Sequence, residues 1–80
     1  MANTEKQIIC DEWVQVTTGN NNAMIQAPRG NLQYTCAAAK PDRDAPYYTL
    51  GNEGMEVGKP LVVWVRSLGL PSEMSVTVYD

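Results

Sequence analysis

Residues able to do chemistry are few in this chain. Asp42 and Asp44 flank Arg43 in "PDRDAP", and Asp11 stands beside Glu12. A carboxylate pair can hold a hard cation or share a proton in acid–base work. Neighbouring residues of a strand point to opposite faces, which separates Asp11 from Glu12. Asp42 and Asp44 supply fewer oxygen ligands than a calcium loop uses, and both read as solvated charges that keep a turn soluble. The chain has no histidine. That removes the commonest base at neutral pH, and with it Ser-His-Asp and Cys-His sites within one chain. Ser67, Ser72 and Ser75 lie outside any GxSxG elbow, and the glycines form neither a GxGxxG nor a P-loop pattern. Cys10 and Cys36 fit no CxxC or zinc spacing. In a reducing compartment they read as free thiols packed as small apolar groups. No catalytic, cofactor-binding or metal-binding residue is assigned: the chain reads as a non-enzyme without a cofactor.

Recognition chemistry is better represented. In "LVVWVRS" a strand places Leu61, Val63 and Val65 on one face and Val62, Trp64 and Arg66 on the other. The first set reads as core. The second is too apolar for an ordinary solvent face. "EWVQVTT" behaves alike, with Val14 and Val16 opposite Trp13, Gln15 and Thr17; the alternative is Trp13 as a core anchor with the valines outside. Trp and Arg are the side chains that protein interfaces favour, so Trp13, Trp64 and Arg66 are the expected interface residues. The competing arrangement has the chain's own 39–48 loop folded over that face. Tyr47 and Tyr48 suit a carbohydrate-stacking platform, but such a pair more often splits between core and rim.

The elements that must position these residues read as strands. The hydrophobic share is 44%, ordinary for a globular chain, and a chain of 80 residues allows one domain. β-favouring runs alternate with Gly, Pro and Asn clusters, and no stretch sustains a helical period. "QIICDEWVQVTT" reads as one long strand or two short ones, "TGNNNA" as a turn, and "AMIQA" as the returning strand of a hairpin. "PRGN" reads as a further turn and "LQYTCAA" as a strand. "AKPDRDAP" is the longest loop, with Pro41 and Pro46 unable to donate to a ladder. "YYTL", "MEV", "LVVWVRS" and "MSVTVYD" complete the set. "CAAAK" offers at most one helical turn before Pro41. The expected fold is all-β: a small antiparallel sandwich or barrel of six to seven short strands. It forms a single domain over 1–80, with residues 1–6 as a flexible arm.

The net charge is −3, from 6 basic and 9 acidic residues. The basic residues are scattered, which argues against nucleic acid as a partner. No apolar run spans a bilayer, so no membrane is expected, nor a small-molecule substrate. "MANTEKQII" lacks the basic-then-apolar order of a signal peptide, which makes the cytoplasm the expected place of synthesis.

The order "WVQVTTG", "MIQ", "PRG", a Pro-rich loop, "LGNEG" and "GKPLVVWVRS" resembles small β-rich virion-structural proteins of tailed bacteriophages and prophages. The likeness runs from about Trp13 to Ser67, and "VWVRS" with "WVQVTTG" carries most of it. It implies a non-enzymatic building block that assembles as a homo-oligomer, with other virion proteins as partners, on a capsid or tail. No catalytic residue carries over. The expected function is therefore a virion component. The alternatives are a binding module that recognises carbohydrate or a host surface, and an intracellular phage regulator that binds a host protein.

Overall fold

The computed structural model describes residues 3–27, 32–51, 54–67 and 71–79 of the chain. These residues form eight strands: β1 (Asn3–Ile9), β2 (Val14–Gln15), β3 (Asn22–Gln26), β4 (Leu32–Cys36), β5 (Tyr48–Leu50), β6 (Met55–Val57), β7 (Val63–Arg66) and β8 (Ser72–Tyr79). They make two four-stranded sheets, ordered β1-β8-β3-β6 and β2-β7-β4-β5. Every pairing is antiparallel. The all-β sandwich expected from the strand spacing is the fold, with eight strands rather than six or seven.

The core lies between the sheets and follows from alternation. Ala23, Ile25, Val57, Met74 and Val76 project from one sheet; Leu32, Leu50, Val63 and Val65 meet them from the other. Each Ile, Leu or Val taken out of water contributes about 1.5–3 kcal/mol before entropy is subtracted. Partners in an antiparallel register share a face. The pairing of Val65 with Val14 and Tyr34 therefore fixes which side of the second sheet is inward. Trp64, paired with Gln15 and Thr35, and Arg66, paired with Gln33, point outward.

Several local expectations are corrected. "EWVQVTT" and "AMIQA" do not form a hairpin, because β2 and β3 belong to different sheets. Among the described strands, β4 and β5 alone are consecutive in sequence and members of one sheet. Leu61 is 48% exposed rather than core. Its N–H bonds the carbonyl of Gly58 in a turn, and regular alternation begins only at Val63. "CAAAK" contains no helical turn; Ala37 instead continues the sheet, its N–H bonding Val62 O at 3.0 Å. From Asn3 onward the expected N-terminal arm is strand. The "PRGN" turn lies outside the described residues.

Two glycines are needed where they stand. Gly19 has φ 92° and Gly54 φ 82°, values that L side chains rarely adopt. A Cβ on Gly54 would also lie 2.9 Å from the carbonyl oxygen of Ile25.

Candidate functional site

Segment 37–47 leaves β4, crosses the outer face of the second sheet and returns into β5. The expected loop is thus also the cover of the face that carries the expected interface residues. Trp13 is 5% exposed and Arg66 is 3% exposed, while Trp64 is half-buried. Of the two arrangements the sequence left open for this face, the one present is the cover by the chain's own loop.

The cover is held by side-chain donors on the sheet and backbone acceptors on the segment. Trp64 Nε1 donates to Ala37 O at 3.0 Å, and Trp13 Nε1 donates to Asp42 O at 3.0 Å. Arg66 Nη1 donates to Arg43 O at 2.8 Å, and its Nε donates to Gln33 Oε1 at 3.1 Å. The guanidinium carbon of Arg66 lies 4.2 Å from the Trp13 ring centroid and 5.5 Å from that of Tyr47. A buried guanidinium must have its donors satisfied, and ring faces are a favourable second partner for its charge. The arrangement brings Trp13, Trp64 and Arg66 together as the strand pattern implied.

At the Trp13 end, Lys40 Nζ lies 2.9 Å from Glu12 Oε1. The hydrogen bond and charge of Lys40 hold the Glu12 carboxyl below its ordinary value of 4.5. Asp11, Glu12, Trp13, Lys40, Pro41 and Arg43 line a shallow cavity of about 250 Å³ here. Asp42 and Asp44 are exposed, as expected of solvated loop charges. Among the described residues, no group of three or more His, Cys, Asp or Glu side chains is gathered as a metal site.

The tyrosines do not make one platform. Tyr47 faces Arg66, whereas Tyr48 stacks on Tyr34 with centroids 5.5 Å apart. Neither is core; Tyr47 is 45% and Tyr48 67% exposed. Cys10 and Cys36 are free thiols, exposed rather than packed inside.

Sequence reasoning did not single out Gln33, nor the carbonyls of Ala37, Asp42 and Arg43. A backbone acceptor has no side-chain signature. The one available signal was the requirement that two Trp N–H groups and an Arg, if covered, must find acceptors.

The first sheet is different. Its outer face carries exposed Thr4, Lys6, Ile8, Met24 and Gln26. Among the described residues, cross-strand polar contacts tie it: Thr4 Oγ1 with Thr77 Oγ1 at 2.8 Å, Lys6 with Glu73 at 3.8 Å, and the Tyr79 hydroxyl to Glu56. Among the described strands, β1 is its edge and pairs with β8 alone. The whole described length of β1, seven residues, forms that edge, whereas β2, β5 and β6, the other edge strands, have two or three.

The fold and these two faces define a small all-β sandwich with one face strapped by its own chain and one long edge that no other described strand pairs. No protein-family model matches the chain, and no curated protein or solved structure matches it.

Proposed function

We propose that this chain is a non-enzymatic structural protein of a tailed-phage virion, acting through contacts with copies of itself and with neighbouring virion proteins. The virion assignment rests on the likeness of "WVQVTTG" and "VWVRS" to such proteins. The assembly assignment rests on one observation, the open edge of β1. Small sandwiches blunt their edges with short strands, and three of the four edges here follow that rule. The fourth offers seven residues of ladder to a strand from a neighbouring subunit. Glu5 and Lys6 in that strand discourage indiscriminate pairing while leaving its backbone groups able to pair.

Adjacent residues of an antiparallel strand send their N–H groups to opposite edges, which gives a clean test. Of Glu5→Pro and Lys6→Pro, one removes a donor to β8 and the other a donor on the open side. The first variant melts at lower temperature. The second keeps the wild-type melt and loses the concentration-dependent association expected of the wild type in sedimentation. Mass spectrometry of purified particles should find the chain at high copy. A wild-type monomer up to high micromolar concentration, together with absence from particles, refutes the reading.

A further inference from the structure

The face beneath segment 37–47 has the chemistry of a peptide-binding groove. Its donors, Trp13 Nε1, Trp64 Nε1 and Arg66 Nη1, each reach a backbone carbonyl of the segment, at 3.0, 3.0 and 2.8 Å. None of these bonds reads a side chain of the segment. Ala38, Ala39, Asp42, Arg43, Asp44 and Pro46 of the segment are exposed. Aromatic-lined grooves take proline-bearing peptides, and here indole and guanidinium donors among aromatic rings meet the carbonyls of a proline-bearing segment that turns at 42–45, where the Ala45 N–H bonds Asp42 O at 3.1 Å. The segment has two prolines, Pro41 and Pro46. Beside Pro41, Lys40 meets the acidic end of the groove formed by Asp11 and Glu12, bonding Glu12 at 2.9 Å.

We propose that Trp13, Trp64, Arg66 and Glu12 form a recognition site for a turn-forming segment of a partner protein in which a basic residue precedes proline. The chain's own Lys40–Pro41 segment occupies this site in the free molecule. The occupant is defined by charge complementarity at Glu12 and by the carbonyl-directed donors. The strap is suited to displacement because it buries little of its own surface, and segments of that kind open first. Displacement uncovers two Trp and an Arg, the residue types that dominate binding hot spots. The site lies on the sheet that does not contain β1, so it stands or falls independently of edge assembly.

The probe is a synthetic peptide of the 37–47 sequence, AAAKPDRDAPY. It contains no Trp, so emission excited at 295 nm reports only Trp13 and Trp64 of the full chain. A tethered strap competes at an effective concentration of about millimolar, which makes wild-type binding weak. In a variant with residues 38–46 replaced by Gly and Ser, the peptide should bind saturably and at least ~10-fold tighter than to wild type. A control peptide with Glu-Gly in place of Lys-Pro should bind at least ~10-fold more weakly than the probe. If the Gly/Ser variant does not melt cooperatively, Lys40→Gln combined with Pro41→Gly serves in its place. The proposal fails if a folded variant shows no saturable change up to millimolar peptide, or answers both peptides alike. It fails also if the wild type is a dimer that the peptide converts to monomer, because the segment then comes from a second copy.

Discussion

The outer face of β2-β7-β4-β5 carries Trp13, Trp64 and Arg66 and lies under segment 37–47. The outer face of β1-β8-β3-β6 carries Thr4, Lys6, Glu73, Thr77 and Tyr79, with the apolar side chains of Ile8 and Met24 exposed among them. Both are the non-core side of a short antiparallel sheet. They differ in what their side chains require. Hydroxyls, a lysine and carboxylates are satisfied by water, so pairs such as Lys6 with Glu73 add little either way. Indole and guanidinium groups carry large apolar surface together with donors, and covering the surface obliges the donors to find acceptors. A chain too small for a third layer meets that need with a loop whose backbone supplies the carbonyls. The strapped face is therefore structural wherever the strap is closed, and the open face stays available at no cost.

The contrast is sharpest at Arg66. Arg66→Ala removes the donor to Arg43 O and Gln33 Oε1 and the cation over Trp13. The expected loss is about 2–4 kcal/mol, since hydrogen bonds from charged groups and a covered cation–π contact each contribute of order 1–3 kcal/mol. At roughly 4–8 °C per kcal/mol for a chain of this size, the melting temperature falls by about 10 °C or more. Arg66→Lys keeps the charge but not the fork and should recover only part of the loss. Next in size is Trp64→Phe, which deletes the bond to Ala37 O and costs about 1 kcal/mol. Its signature is faster amide exchange in 37–47 with little change in the core strands. On the open face, Thr4→Ala breaks the contact with Thr77 and should stay within ~0.5 kcal/mol of wild type by thermal melt. A change at Thr4 equal to that at Arg66 would erase the distinction between the faces.

Much of this was legible from residue order alone. Alternation gave Val63 and Val65 to the core and Trp64 and Arg66 to the other side, because a strand has period two whatever sheet it joins. Pro41 and Pro46 marked the loop. Sheet membership was not legible. A turn such as "TGNNNA" has the chemistry of a hairpin turn, yet the chain uses it to cross from β2 to β3 in the facing sheet. Local turn chemistry says that the chain reverses, not which strand it then meets. The cover over Trp13 and Arg66 was open to sequence only as one of two arrangements, because its anchors are backbone carbonyls that every residue possesses. Leu61 lies outside the core for a related reason: its N–H bonds Gly58 O in a turn, just ahead of the strand that begins at Val63.

The smallest effects separate the faces by pH. On the open face, the Glu56 carboxylate accepts the Tyr79 hydroxyl and raises the Tyr79 pKa above its ordinary 10.0. The folded state thus favours the neutral phenol, so this contact stabilises below pH 10 and is lost as pH rises through the raised value. Tyr79→Phe should remove that alkaline loss, read as a flatter melting temperature between neutral and high pH. On the strapped face the sign is opposite. Lys40 lowers the Glu12 pKa from 4.5, so the folded state favours the carboxylate and binds fewer protons than the unfolded chain. The contact stabilises above that value and is lost as pH falls through the lowered one. Protonating Glu12 frees Lys40 and loosens the strap at its Trp13 end, where the indole donates to Asp42 O. The Trp13 indole N–H resonance of the wild type should shift on acidification below about pH 4.5, and Glu12→Gln should abolish that shift while leaving the Trp64 indole resonance unmoved. If both indole resonances move together, the strap opens as one unit and Glu12 is not its latch. If neither moves, the ion pair contributes nothing to closure, and the carbonyl bonds alone hold the cover down.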